Sequence, residues 1–159
     1  MGQLVAPELP LGGGCPCEAV RFVISAMPLL VYACHCSRCQ RSTGSAFAMA
    51  MPVAANDFSL TRGQPKSWRR AVPSGGVSIQ WFCGDCGVCV YEECDGRQGL
   101  VVVRAGTLDD TSWLRPIAHV HLNSAQAWEK IPNPAECFEF MPKQISLLSE
   151  KWQAMWRQP

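Results

Sequence analysis

Apolar residues recur at every second position in several short stretches, the period of a β-strand that turns one face to a core. Val20, Phe22 and Ile24 make one such face, although Val23 blurs the alternation. Val77, Ile79 and Trp81 make another, just ahead of Cys83. Val101, Val102 and Val103 form a continuous apolar run that fits a buried strand. A further strand is expected over residues 46–53, after Gly44 and Ser45. Twelve Pro and thirteen Gly punctuate these stretches, with a turn expected at Val72-Pro73-Ser74-Gly75-Gly76. The pattern predicts a mainly β body with no internal repeat.

Two stretches read as helix instead. Between Cys36 and Gly44 there is room for about two turns, with Gly44 as the stop signal. Near the end, Ile145, Leu148, Trp152 and Met155 are spaced by three, four and three residues, and Trp156 widens the stripe. This amphipathic helix is expected to pack on the body, or on the partner subunit of a homodimer.

Composition places the chain among ordinary globular proteins. It has 159 residues, 48% of them hydrophobic and 17% charged, and fits one domain with a core of its own. A net charge of +1 supplies no overall basic field for a nucleic-acid backbone. The apolar runs fall far short of the roughly 18 residues of a membrane span. The first eight residues carry neither the basic stretch nor the apolar run of a leader, so a cytoplasmic location is expected. No nucleic-acid or membrane partner is expected.

Ten cysteines change the picture. In a reducing compartment they point to metal rather than to disulfides. Eight fall into three groups: Cys15 with Cys17; Cys34, Cys36 and Cys39; and Cys83, Cys86 and Cys89. A C-x₂-C step on a tight turn aims two thiolates at one ion, roughly 2.3 Å from each sulfur in the case of zinc. Gly84 and Gly87 around Cys86 are expected to take positive φ and turn backbone amides toward the sulfurs. Zinc fits a thiolate-rich tetrahedral site, and the cysteine spacings are not those of common ferredoxins. The grouped cysteines could form two closed four-thiolate sites. They could equally form one closed site and one with three thiolates and an open position. Four thiolates leave a bound zinc doubly negative and inert; three leave it singly negative with room for a ligand.

The motifs resemble the glutathione-dependent formaldehyde-activating enzyme family. The resemblance is carried by Gly13-Gly14-Cys15-Pro16-Cys17 with Ala19-Val20-Arg21-Phe22, and by Cys34-His35-Cys36-Ser37-Arg38-Cys39-Gln40-Arg41-Ser42-Thr43-Gly44-Ser45-Ala46-Phe47. It continues through Phe82-Cys83-Gly84-Asp85-Cys86-Gly87 and Ala105-Gly106-Thr107-Leu108-Asp109-Asp110 to His119, Ser124 and Trp128. It implies a β-tent type zinc-binding fold over residues 12–140, with an N-terminal extension at 1–11 and the C-terminal helix within 141–159. It also implies two zinc ions per chain. A structural one would sit on Cys15, Cys17, Cys83 and Cys86, and a working one on Cys34, Cys36 and Cys39. The implied activity is that of a carbon–sulfur lyase, an S-(hydroxymethyl)glutathione synthase. Its partners would be a small thiol such as glutathione and formaldehyde or a related small electrophile. Glu18 departs from the pattern, standing where the family usually has glycine.

The remaining residues have two readings each. Arg38 and Arg41 bracket Cys39 and suit the carboxylates of a glutathione-like substrate, or else offset the charge of the thiolates. His35 stands between two ligands, so its ring is expected to face away from them. His119 and His121, two apart, are expected on one strand face, as structural residues or as proton shuttles. Cys89 either enters the strand after its knuckle or closes the three-thiolate site. Cys94 and Cys137 read as small buried apolar residues. A non-catalytic zinc-stabilised binding domain and a thiol redox sensor are the competing functions.

Overall fold

The structure is a computed structural model that describes residues 5–72, 75–131 and 135–156. Pro73 and Ser74 of the expected Val72–Gly76 turn lie outside the described residues, as do the first four residues of the N-terminal extension and the last three of the tail.

Alternation converts directly into strand faces near the start of the chain. β2 (Arg21–Ile24) buries Phe22 and Ile24 and leaves Arg21 and Val23 half-buried. It lies between β1 (Leu11–Gly14) and β5 (Phe58–Arg62) in an antiparallel three-stranded sheet. Three successive glycines end β1 because neighbours press on it. A Cβ on Gly13 would stand 2.3 Å from the Phe22 ring and 2.7 Å from the Thr107 carbonyl oxygen. Asp109 closes the same contact, donating its amide to the Gly12 carbonyl at 3.0 Å and pairing its carboxylate with Arg21.

The larger sheet has eight strands. These are β3 (Tyr32–Cys34), β4 (Ala48–Ala54), β6 (Lys66–Ala71), β7 (Val77–Phe82), β8 (Cys89–Cys94), β9 (Leu100–Arg104), β10 (Ala118–Val120) and β11 (Glu136–Cys137), in the order β11-β10-β3-β4-β9-β8-β7-β6. All neighbours run antiparallel except at β10, which is parallel to both β3 and β11. The Val101–Val103 run is buried in β9, between β4 and β8. β7 forms where Val77, Ile79 and Trp81 alternate, yet its deepest side chain is Ser78 on the other face. It lies one strand from the sheet edge, so the apolar face is only half covered.

Both helices start and stop where local chemistry requires. α1 (Ser37–Thr43) is capped by Cys36, whose sulfur accepts from the Cys39 amide, and ends at Gly44 with φ 64°. That left-handed C-cap is the conformation glycine adopts at least cost. α2 (Ser146–Met155) turns Leu148 and Trp152 into this chain's own core. There Trp152 meets Trp113 at 6.3 Å and Trp156 at 5.2 Å between ring centroids.

Two expectations fail at the end of the large sheet. β10 stops at Val120 and His121 turns out of it with φ 60°, so His119 and His121 do not share a strand face. Cys137 is exposed rather than buried, on the two-residue edge strand β11; Cys94 is only half-buried.

Candidate metal centres and the adjoining cleft

Two turns far apart in sequence meet to form the first centre. Cys15 follows β1 directly and Cys17 lies in the turn before β2, while Cys83 and Cys86 lie in the turn between β7 and β8. The four sulfurs lie within 4.8 Å of one another. Cys15 and Cys17 are 3.4 Å apart, and Cys17 and Cys83 are 3.6 Å apart. Backbone amides reach these sulfurs, as the spacing suggests. Val20 donates to the Cys15 sulfur at 3.2 Å. The amides of Cys86 and Asp85 hold the Cys83 thiol down to about 7. Gly87 takes the expected positive φ of 75° and donates to the Cys83 carbonyl at 2.9 Å. Gly84 does not take a positive φ; the Lys66 side chain lies over it.

Glu18 occupies its turn in the left-handed region, at φ 61°, with its amide donating to the Cys15 carbonyl at 2.9 Å. The backbone thus keeps the conformation glycine would favour, at the expense of a crowded Cβ. Glu18→Gly is expected to raise stability by about 0.5–1 kcal/mol, net of the extra freedom glycine has when unfolded. Thermal unfolding monitored by circular dichroism would read this as a rise of about 1–4 °C.

The second centre is local. Cys34 ends β3, Cys36 caps α1 and Cys39 lies in its first turn, with the three sulfurs within 4.8 Å of one another. No fourth thiol, imidazole or carboxylate among the described residues joins them at that spacing. Cys36 is the acceptor of the group. Hydrogen bonds from the Cys34 and Cys39 thiols hold it far below an ordinary thiol, helped by the Cys39 amide; His121 stands nearby. Cys34, as donor and buried, is pushed far upward.

A polar network fixes the peptide between Cys34 and Cys36. The His35 carbonyl accepts from Gln40 Nε2 at 2.6 Å and from the Ser124 hydroxyl at 3.1 Å. Gln40 also donates to the Ser124 carbonyl at 2.7 Å and accepts from Gln126 at 2.7 Å. The His35 ring is fully buried, with Nε2 2.8 Å from His119 Nδ1. Burial lowers the pKa of both imidazoles, and each also feels the other ring or a distant carboxylate. The sequence marks these residues only as parts of a motif; that they brace the cysteine loop depends on contacts between segments far apart in the chain.

A cleft of about 840 Å³ runs from the Cys86–Gly87 turn to the end of α1. Phe47, Met49, Trp68, Phe82 and Val88 supply apolar wall, and Arg104 and Cys89 also line it. Cys89 is outside the three-thiol group; its thiol donates to the Tyr91 carbonyl at 3.8 Å, beside Arg104. Arg104, with a side chain only 12% exposed, pairs with Glu92 at 3.3 Å and is close enough to feel the charge of Cys39. Sequence reasoning passed over Arg104, which has no motif of its own. Arg38 and Arg41 are exposed on α1 and do not line the cleft.

The family model for glutathione-dependent formaldehyde-activating enzymes matches residues 10–124. Two relatives carry the same enzyme name as an assignment. One, from Talaromyces marneffei, is 27% identical over 118 residues, covering 72% of this chain and 62% of its own length. The other, from Podospora anserina, is 25% identical over 105 residues, covering 64% of this chain and 48% of its own. The chain thus spans only about half to three-fifths of these relatives. A Rhodobacter sphaeroides protein, solved by crystallography as a structural-genomics target, has a similar fold. Its TM-score is 0.52 at 21% identity, over 63% of this chain and 89% of that one. No described helix is long and apolar enough to cross a membrane.

Proposed function

The chain belongs to the glutathione-dependent formaldehyde-activating enzyme family, and from that premise we propose that it is a zinc-dependent carbon–sulfur lyase. It joins a small thiol such as glutathione to formaldehyde or a related small electrophile, and reverses the reaction. The observation that carries the reading is the unequal donor sets, four thiols in one group and three in the other. Both suit zinc, whose structural sites are closed and whose working sites keep a place free. Cys15, Cys17, Cys83 and Cys86 would hold a structural ion, and Cys34, Cys36 and Cys39 a functional one.

Bound at the three-thiol group, zinc supplies a position at which an incoming thiol gives up its proton near neutral pH. The protein's own residues do the rest. Gln40 and Ser124 keep the cysteine loop in one geometry through the His35 carbonyl. His121, near Cys36, receives the thiol's proton on its ring and returns it to the new hydroxyl oxygen. Arg38 and Arg41, on the solvent side of α1 and outside the cleft, would meet one carboxylate of a thiol substrate that extends beyond it. The neutral, buried His35–His119 pair packs beneath the site without entering the proton transfer.

Metal content and cobalt spectroscopy test the proposal together. Two metals per chain are expected, and in cobalt-substituted protein glutathione should change the thiolate-to-metal absorption of one. Two metals that ignore the thiol would mean closed sites and a binding role. One metal, with Cys34, Cys36 and Cys39 reacting freely with an alkylating agent, would favour a redox function.

A further inference from the structure

A molecule as small as formaldehyde needs little more room than a water, roughly 30 Å³. The cleft between the Cys86–Gly87 turn and the end of α1, the helix that carries Cys39, holds about 840 Å³, within the usual range of roughly 300–1,000 Å³ for sites that enclose whole organic ligands. Its walls are mostly apolar and aromatic. Phe47 and Met49 lie near β4, Phe82 on β7, and half-exposed Trp68 on the edge strand β6. Within that apolar lining stands one guanidinium. Arg104 donates to Glu92 through one nitrogen only, and Gln80 shares that carboxylate at 3.0 Å, which steadies the arrangement. A guanidinium carries five N–H donors, and those of Arg104 not taken by Glu92 or the neighbouring Cys89 thiol can serve an anion.

We propose that this cleft binds a carboxylate-bearing thiol adduct with a bulky apolar group on sulfur, its carboxylate on Arg104 and its apolar group between Trp68 and Phe82. The inference rests on the thiol-addition reading of the adjoining cysteines, and it assigns that site an electrophile larger than formaldehyde. The sulfur of such an adduct faces the α1 end of the cleft, where Arg104 approaches Cys39. Arg104 is thus a specificity residue that orients the ligand.

Isothermal titration of the zinc-loaded full chain with three thioethers decides the matter: S-methylglutathione, S-hexylglutathione and the diethyl ester of the latter. The hexyl compound should bind at least about tenfold more tightly than the methyl one, because its added methylenes leave water. The diester should bind at least about tenfold more weakly than the free acid, because it presents no anion. Arg104→Gln should abolish the acid–ester difference, and Trp68→Ala the hexyl–methyl difference. Either ratio within about twofold of unity in the unaltered chain overturns the proposal. That comparison stands even if Arg104→Gln fails to fold. None of the three compounds has a free thiol, so their binding does not depend on the thiolate chemistry that the cobalt titration examines. A silent cobalt spectrum with a steep thioether series would reject the lyase reading and keep the cleft assignment; the opposite pair of results would do the reverse.

Discussion

Cys86→Ser is expected to remove one of two zinc ions per chain and to unfold or nearly unfold the protein at ordinary temperature. Cys86 is itself exposed, so the loss is not one of packing. Its sulfur belongs to a group that ties the β1–β2 turn to the β7–β8 turn, positions some seventy residues apart in the chain. Structural zinc sites of this kind contribute roughly 10–16 kcal/mol in small peptides, against a total stability of about 5–15 kcal/mol for a typical domain. Losing even a third of that metal contribution would lower the melting temperature by about 10 °C or more. Thermal unfolding with parallel zinc analysis checks this. A variant that keeps both ions and melts within a degree or two of the parent would show that the four-thiol group is no metal centre.

Cys36→Ser is expected to do the opposite: it leaves the fold intact and abolishes thiol-dependent turnover, at least about 100-fold above the uncatalysed background. Cys36 caps α1 through its sulfur, and serine is a preferred residue at that position. The helix therefore keeps its cap, and the chain should stay folded, losing only what the second ion contributes to stability. What disappears is one of only three thiols in that group. A serine hydroxyl does not ionise near neutral pH, so the donor set falls to two. The same change at Cys34 is a poorer test, because that side chain is buried at the end of β3 and its loss would also disturb packing. Retained turnover in Cys36→Ser, with melting unchanged, would move the chemistry away from these cysteines.

Much of this protein is written in short-range pattern. The strand at Phe22 and Ile24, the buried valines of β9, the two turns of α1 and its stop at Gly44 all follow from spacing and local preference. So does the stripe of α2, because Leu148 and Trp152 fall on one side of any helix built from that stretch. The three cysteines around α1 are local in the same sense: two lie within a turn of the helix start and the third ends β3 two residues before Cys36. Patterns fail where local preference meets an edge. His121 would continue β10 by alternation, but β10 runs out of partners and the chain turns. Cys137 looks like a core residue in composition, yet its strand is too short and too peripheral to be covered.

By itself the sequence determined the β-rich class, the helix that carries Cys39, and the separate cysteine groups, since each depends on residues a few positions apart. Only the tertiary structure decided that Cys89 stands outside the three-thiol group, and that Gln40 and Ser124 grip the peptide between two of its cysteines. It alone brought Arg104, Trp68 and Phe82 to the walls of one cleft. The reason is the distance along the chain. β6 to β9 pair in chain order, but the facing wall, Phe47 and Met49, joins Arg104 only when β9 pairs with β4 some fifty residues earlier, and that pairing is set by the sum of many weak contacts that no single stretch records.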